Sequence, residues 1–151
     1  MASILDTLDV TDLTGAPDGS LKEILKRSRM PDFFGRFSQA NFNYFYPGKV
    51  TCNHYHHSKE EIFGVGIGTI DVYLFNNQDQ KIYCRPVSRG QRFTLRPGIP
   101  HALHNSTQSE VLLVEFTNLE FDKTNSGKDI YPFPLLDNDT GKSLNYPIVR
   151  V

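Results

Sequence analysis

The stretch that decides the fold is Gly48-Lys-Val-Thr-Cys-Asn-His54-Tyr-His56-His-Ser-Lys-Glu-Glu61. Its first part, from Lys49 to His56, is typical of a strand, and alternate side chains of a strand share a face. His54 and His56 are therefore expected to point the same way, about 7 Å apart along the strand. A polar turn of four residues follows, and if it reverses the chain, Glu61 returns opposite the two imidazoles.

A third imidazole comes from farther along the chain. His101 begins another predicted strand after a stiff corner, Arg96-Pro-Gly-Ile-Pro100. Three imidazoles and one carboxylate that converge inside a barrel suit a divalent transition metal with open coordination positions. The candidate metal ligands are His54, His56, Glu61 and His101. Zinc, iron, manganese and nickel all remain open, and no organic cofactor is predicted.

Short β-type segments make up most of the chain. The 11 glycines and 9 prolines are spread along it, and candidate strands recur roughly every 8–12 residues between positions 37 and 116. Residues 21–25 fit a helix and a strand equally well. We predict an all-β sandwich or barrel forming one domain over residues 1–151. It has an N-terminal arm over 1–19, a core over about 20–118 and an irregular C-terminal wrap over 119–151.

Composition excludes several classes of protein. The 151 residues carry a net charge of −1, which gives no electrostatic footprint for nucleic acid or for an anionic membrane surface. No apolar run approaches the roughly 18 residues that a membrane span needs, and the N-terminus lacks the pattern of a secretory signal. Two cysteines are too few for a disulfide framework. A cytoplasmic protein without nucleic-acid or membrane partners is expected.

Two motifs resemble the signature motifs of the cupins. In the first, His54, His56 and Glu61 stand between two glycines, and in the second, His101 follows a Pro-Gly corner. The motif positions are Gly48, His54, His56, Glu61 and Gly68, then Gly90, Arg96, Gly98, His101 and Asn105. Arg96 departs from the pattern, since the family usually has proline there. The resemblance implies a double-stranded β-helix, the cupin jelly-roll barrel, usually as a homodimer, and this fold hosts many chemistries.

A second resemblance bears on function. Asp18-x-Ser20-Leu21-x-Glu23, followed by Gln39-x-Asn41, is similar to the N-terminal half of dTDP-4-dehydrorhamnose 3,5-epimerase and related keto-sugar isomerases. This resemblance implies that Gln39 and Asn41 help to hold a nucleotide sugar and that His54 is the base. Two positions depart from the pattern. Thr51 stands where a phosphate-binding arginine is expected, and no tyrosine acid follows the last core strand.

The implied chemistry starts with removal of a proton beside a keto group, which needs a base with a pKa near neutrality and a group that stabilises the enolate oxygen. A metal would serve as that Lewis acid. Without a metal, His54 would act as the base, and His56 or Tyr55 would donate a proton. His54 cannot be both ligand and free base, so the two versions exclude each other. Arg92 and Arg96 are the favoured contacts for a diphosphate, because guanidinium groups match phosphate geometry.

Three functional hypotheses remain. The first is an epimerase or isomerase acting on a nucleotide-linked keto-deoxy sugar in the biosynthesis of cell-surface polysaccharide. The second is a metal-dependent cupin of another reaction class, such as a dioxygenase or a phosphosugar isomerase. The third is a non-catalytic sugar-binding cupin.

Overall fold

The computed structural model describes residues 3–20, 22–120 and 129–151. The strands in these ranges are β1 (Thr11–Asp12), β2 (Gln39–Phe45), β3 (Val50–Tyr55), β4 (Glu61–Ile67), β5 (Thr69–Asn76), β6 (Lys81–Ser88), β7 (Gln91–Leu95), β8 (His101–His104), β9 (Val111–Thr117), β10 (Tyr131–Pro132) and β11 (Ile148–Arg150). They pair into a five-stranded sheet with the order β1-β7-β4-β9-β2 and a six-stranded sheet with the order β10-β3-β8-β5-β6-β11. The pairs are antiparallel except for β11 and β6, which run parallel.

The main core lies between the two sheets, where alternate side chains from both meet. Phe63 of β4 stacks on Phe93 of β7 with 5.0 Å between ring centroids, and Val72, Leu74 and other buried residues complete this core. The described residues contain almost no helix. The predicted all-β, double-stranded β-helix fold is confirmed.

The N-terminal arm contributes to this core, which its polar sequence did not predict. Ile4–Leu8 forms a short 3-10 helix, and Leu5 and Leu8 are buried in the main core. A single-turn helix, α1 (Pro31–Phe34), lies between the arm and β2. Of the ambiguous segment 21–25, residue 21 lies outside the described residues, and Lys22 makes one isolated bridge to Gly15.

The C-terminal segment covers the outer face of the six-stranded sheet. A second apolar cluster forms there, where Leu135 and Leu136 pack on Tyr73 and Phe75. The wrap predicted to be irregular therefore contributes β10, β11 and part of a core; its residues 121–128 lie outside the described residues. The division into arm, core and wrap of one domain stays a prediction.

No helix in the described ranges is long and apolar enough to cross a membrane. The cytoplasmic location expected from the sequence stays a prediction.

Candidate active site

Charged and polar side chains line one end of the barrel interior. The six-stranded sheet supplies His54 from β3 and His101 from β8. The five-stranded sheet supplies Glu61 from the first position of β4 and Glu115 from β9. His56 follows the end of β3 and completes the group of imidazoles.

A β-bulge in β3 sets the position of His54. Cys52 pairs with Ala102 and His54 with His101, so Asn53 is the extra residue in the ladder. The backbone φ angles of Cys52 and Asn53 are 74° and 52°, in the left-handed region. The strict alternation that the sequence predicted is therefore broken at Asn53, whose amide Oδ1 accepts hydrogen bonds from the backbone of the C-terminal segment instead.

The structure brings together the four side chains that the sequence proposed as metal ligands. The Nε2 atoms of His54 and His56 are 3.1 Å apart. Oε2 of Glu61 lies 3.5 Å from Nε2 of His56 and 3.7 Å from Nε2 of His101. His56, Glu61 and His101 are 2%, 5% and 1% exposed, and His54 is half-buried. These atoms therefore form one enclosed cluster.

Hydrogen bonds to backbone carbonyls fix the orientation of two of these rings and the nitrogen that carries the proton. Nδ1 of His56 lies 2.6 Å from the Asp129 carbonyl oxygen, and Nδ1 of His101 lies 2.9 Å from that of Ile99. Because a carbonyl only accepts, each Nδ1 carries the proton, and in the neutral ring Nε2 is left as an acceptor facing Glu61. Each ring is thus oriented as in a metal site with its second nitrogen anchored.

Two acceptor atoms of the cluster have no donor in the ranges that the structure describes. Within the described part of the chain, Oε2 of Glu61 and Nε2 of His101 are buried without a hydrogen-bond partner. A divalent cation would satisfy both. Metal bonds of about 2.1 Å hold neighbouring ligand atoms roughly 3.0–3.5 Å apart, close to the observed separations. The residues present therefore fit a transition metal.

Burial dominates the electrostatics of the cluster. It lowers the pKa of His54 to about 4, with help from His101 and His56, and it lowers the pKa of His101 as well. Burial alone would raise the pKa of Glu61, but the surrounding imidazoles and Lys59 outweigh it and hold that pKa well below its usual range. Near pH 7 the His54 ring is neutral and the Glu61 carboxylate is charged.

Lys59 and Glu115 belong to the site although sequence reasoning missed both. Nζ of Lys59 lies 3.0 Å from Oε1 of Glu61 and 3.6 Å from Oε1 of Glu115. Burial and the negative charge of Glu61 raise the pKa of Glu115. Glu115 shares the core face of β9 with Val111 and Leu113, and a carboxylate on an apolar face was the signal available in the sequence.

Gln39 and Asn41 lie at the polar end of the interior, tied to the cluster through Glu115. Nδ2 of Asn41 donates to Oε2 of Glu115 over 3.2 Å, and Nδ2 of Asn43 donates to the same atom over 2.9 Å. Nε2 of Gln39 donates to Oδ1 of Asn41 over 2.9 Å. A row of amides thus leads from β2 toward the carboxylates and Lys59.

Tyr55, expected as a proton donor, lies elsewhere. Its ring stacks on Tyr131 at 5.2 Å and meets the edge of His57 at 5.6 Å, on the opposite face of β3 from His54. Neighbouring residues of a strand point to opposite faces. The expectation that Tyr55 donates a proton beside His54 is therefore corrected.

Arg92 and Arg96, expected to contact a diphosphate, also lie away from the cluster. Phe93 and Leu95 face the core, so alternation turns Arg92 of β7 outward, and Arg96, just after β7, lines the same outer cavity as Arg92. Nη1 of Arg92 donates to the Ile24 carbonyl over 3.2 Å, and Nε of Arg96 donates to a carbonyl of the N-terminal arm. The expectation that they bind the same substrate as the imidazoles is corrected.

Asp129 is a further residue of the site that the sequence did not suggest. Besides its carbonyl contact with His56, its carboxylate accepts hydrogen bonds from the backbone N–H groups of His57, Ser58 and Lys59. The C-terminal segment thereby closes over the β3–β4 turn. No local pattern indicates a contact that joins residues so far apart in the chain.

A jelly-roll barrel with histidines and a glutamate inside it defines the class of this protein. The family model described as Cupin matches residues 7–133, and the chain belongs to that family. The predicted resemblance to cupins is confirmed. Among curated proteins, none is significantly similar in sequence to this chain.

Solved structures with the same fold include proteins of sugar metabolism. CapF from Staphylococcus aureus, a capsular polysaccharide assembling protein, is 26% identical with a TM-score of 0.58. The match covers 64% of this chain and 27% of CapF, so this chain spans about a quarter of that protein's length.

Two further structures align over nearly the whole chain. NovW, a 4-keto-6-deoxy sugar epimerase from Streptomyces spheroides, is 14% identical with a TM-score of 0.63, covering 96% of this chain and 76% of NovW. RmlC from Legionella pneumophila, a dTDP-6-deoxy-D-glucose-3,5-epimerase in complex with dTDP-4-keto-L-rhamnose, is 14% identical with a TM-score of 0.67, covering 94% and 81%. The predicted likeness to sugar-nucleotide epimerases is thus confirmed at the level of the fold.

Proposed function

We propose that this cupin epimerises or isomerises a nucleotide-linked keto-deoxy sugar in the biosynthesis of cell-surface polysaccharide. The observation that carries the proposal is the enclosed cluster of His54, His56, Glu61 and His101, with unpartnered acceptor atoms aimed at one point. The names of the structural neighbours support the substrate class, since NovW acts on a 4-keto-6-deoxy sugar and RmlC is seen with a dTDP-keto sugar.

The reaction begins with loss of a proton from the carbon beside the keto group. The resulting enolate is reprotonated on the opposite face to give an epimer, or at oxygen or a neighbouring carbon to give an isomer. His54 is neutral near pH 7 and only half-buried, so its ring is the imidazole of the cluster most accessible to a substrate. In the metal-free version of the site, His54 accepts this proton.

In the alternative version, His54, His56, Glu61 and His101 would hold one divalent metal, which would supply a Lewis acid to this site. The Asp129 and Ile99 carbonyls keep the rings of His56 and His101 oriented for this role. Proton transfer then falls to another group of the cavity, and Glu115 is the nearby carboxyl group with a raised pKa. Oε2 of Glu61 and Nε2 of His101, which lack a donor among the described residues, favour this version.

Gln39 and Asn41 are the proposed contacts for the sugar or its nucleotide. Their amides face the polar end of the interior, and the Asn41–Glu115 hydrogen bond fixes one of them beside the site. Arg92 and Arg96 are not part of this proposal, since they face outward from the five-stranded sheet.

Proton exchange with solvent tests the reaction directly. A panel of dTDP-4-keto-6-deoxy sugars is incubated with the protein in deuterium oxide, and deuterium beside the carbonyl is measured by mass spectrometry and NMR. Incorporation is expected for the wild type, with a loss of at least about 100-fold in His54→Ala. His57→Ala is the matched control, because His57 is an exposed imidazole beside Tyr131, and it should exchange normally. No deuterium uptake into any keto sugar would contradict the proposal.

Metal content separates the two versions of the mechanism. Protein purified without chelators is analysed for zinc, iron, manganese and nickel, and exchange is measured before and after metal removal. One equivalent of metal, with activity lost on removal and restored on addition, supports the four-ligand version. Full exchange by metal-free protein supports His54 as the base.

The same ligand set favours a second candidate, a metal-dependent cupin of another reaction class. Three imidazoles and a carboxylate also suit iron, and a dioxygenase would consume oxygen, whereas a phosphosugar isomerase would not. Stoichiometric iron with substrate-dependent oxygen uptake would establish a dioxygenase. Tight sugar binding without a metal and without turnover would instead indicate a sugar-binding cupin.

A homodimer, implied by the family resemblance, is also proposed. Strand β2 lies at the edge of its sheet, and Phe42 and Tyr44 on its outer face and Tyr46 just after it are 68%, 57% and 63% exposed. Large exposed aromatic groups in a row are typical of protein interfaces. Light scattering should give twice the mass of the chain, and Tyr44→Lys should shift the protein toward the monomer. A monomeric wild type would contradict this proposal.

A further inference from the structure

A second cavity lies on the outside of the five-stranded sheet. It measures about 300 Å³, opens to solvent and is bordered by β7, α1 and the N-terminal arm. Glu60 lines it, whereas the next residue, Glu61, faces the imidazole cluster on the other side of the sheet. The cavity is therefore separate from the candidate active site, and we call it the arginine pocket.

Positive charge predominates in the arginine pocket. Four guanidinium groups line it, against the three carboxyl groups of Asp9, Asp32 and Glu60. The carboxylate of Glu60 lies 3.9 Å from Nη2 of Arg36 and 3.8 Å from Nη1 of Arg96, longer than hydrogen-bonded pairs. The guanidinium groups are those of Arg29, Arg36, Arg92 and Arg96.

Two buried donors in this pocket lack an acceptor. Thr94 is 2% exposed, and neither its Oγ1 nor the Nε of Arg92 has a hydrogen-bond partner among the residues that the structure describes. Both groups belong to residues that line the pocket. A buried donor without a partner costs free energy, and an oxyanion would satisfy a hydroxyl and a guanidinium N–H together.

We propose that the arginine pocket binds a phosphoryl group, as inorganic phosphate or as part of a small phosphate ester. Guanidinium groups match the geometry of phosphate oxygens, and Thr94 supplies a neutral donor beside them. The volume is at the low end for small-molecule sites, roughly 300–1,000 Å³, which suits a phosphate or a small ester better than a whole nucleotide sugar. The inference goes beyond the proposed function, because it concerns the opposite face of the sheet.

Phosphate-dependent stabilisation tests the pocket. The melting temperature is measured with increasing inorganic phosphate at constant ionic strength maintained by chloride, and the affinity is measured by calorimetry. The wild type should be stabilised by phosphate beyond the effect of chloride. Thr94→Val should weaken phosphate binding at least about tenfold while keeping the fold, because valine has a similar shape and leaves no buried hydroxyl. Thr69→Val is the matched control and should bind normally, since Thr69 bonds to Ser88 on the other sheet.

A second variant keeps the test decisive if Thr94→Val folds poorly. Arg92→Lys retains the charge but loses the guanidinium fork, so it should also weaken phosphate binding. No phosphate-specific effect in the wild type, or an effect unchanged in both variants, overturns the proposal and leaves the pocket a water-filled cavity.

Two further binding measurements show where the ligand binds and which ligand it is. Phosphate binding should persist in His101→Ala, which alters only the imidazole cluster; its loss there would place the anion at the candidate active site and overturn the proposal. Glucose 1-phosphate is compared with inorganic phosphate. Tighter binding of the ester identifies a sugar phosphate as the ligand. Equal binding identifies the phosphoryl group alone as the recognised group. Either result supports phosphoryl binding in the arginine pocket.

Discussion

The two ends of the barrel interior are built by the same strands and have opposite characters. Along the inner face of β4, Glu61 is followed by Phe63 and Val65, and along β8, His101 is followed by Leu103. The apolar end stacks rings and aliphatic groups in a dry core, which stabilises the fold. The polar end buries one carboxylate oxygen, Oε2 of Glu61, and one imidazole nitrogen, Nε2 of His101, without hydrogen-bond partners among the described residues, at a cost in free energy. The apolar end therefore provides stability, and the candidate active site at the polar end reduces it.

The largest effect is expected from the apolar end. Phe93→Ala removes a fully buried ring that stacks on Phe63, and it should lower the free energy of unfolding by about 4 kcal/mol. Urea denaturation measures this change. Phe42→Ala is the control, because that ring is exposed, and its change should stay below about 0.5 kcal/mol. Equal losses in the two variants would show that the apolar end is not the main source of stability.

At the polar end, His101→Leu should separate stability from activity. It replaces a buried ring whose Nε2 has no partner in the described part of the chain with an apolar side chain, so the free energy of unfolding of metal-free protein should stay within about 1 kcal/mol of the wild type. Deuterium exchange into a keto sugar should fall at least about 100-fold, because the cluster loses one of its imidazoles. A variant that unfolds like Phe93→Ala would mean that the polar end is structural.

Lowering the pH should reduce the stability of the metal-free protein through protonation of His54 at the polar end. The pKa of His54 is about 4 in the folded chain, below its ordinary value of 6.5, so the unfolded state binds more protons between these values. The free energy of unfolding should therefore fall as the pH decreases from 7 to 5, by about 1 kcal/mol after allowance for solvent screening of a half-buried ring. Thermal unfolding of wild type and His54→Asn at each pH measures it, and identical slopes would contradict the assignment.

The smallest effect is expected just outside the polar end. Tyr55→Phe keeps the ring that stacks on Tyr131 and removes only a hydroxyl on the far face of β3. Deuterium exchange should change by less than about twofold, since no proton of the reaction passes through that hydroxyl. A large loss would restore Tyr55 as a proton donor and would require β3 to rearrange when substrate binds.

Much of the fold was predictable because its signals are local. Strands β2 to β9 follow one another between positions 39 and 117, close to the region from 37 to 116 where glycine turns and apolar patterning predict them. The N-terminal arm shows where this fails. Leu5 and Leu8 stand in a polar stretch, and their burial depends on a gap in the core that strands far along the chain create.

The candidate site likewise contains residues with a local signal in the sequence and residues without one. Motif spacing indicated His54, His56, Glu61 and His101, and the structure places them together. Lys59 and Glu115 were missed because their roles depend on a contact between a turn and a strand that are distant in sequence.

The sequence by itself determined the strand pattern, the cupin class and the four side chains proposed as ligands, because alternation and turn chemistry act over a few residues. Only the tertiary structure decided which of the remaining polar groups join them. The bulge at Asn53, the C-terminal carbonyl that orients His56 and the outward direction of Arg92 all depend on sheet pairing between distant segments. Such pairing has no local signal, because the free energy that selects it appears only when the two faces meet.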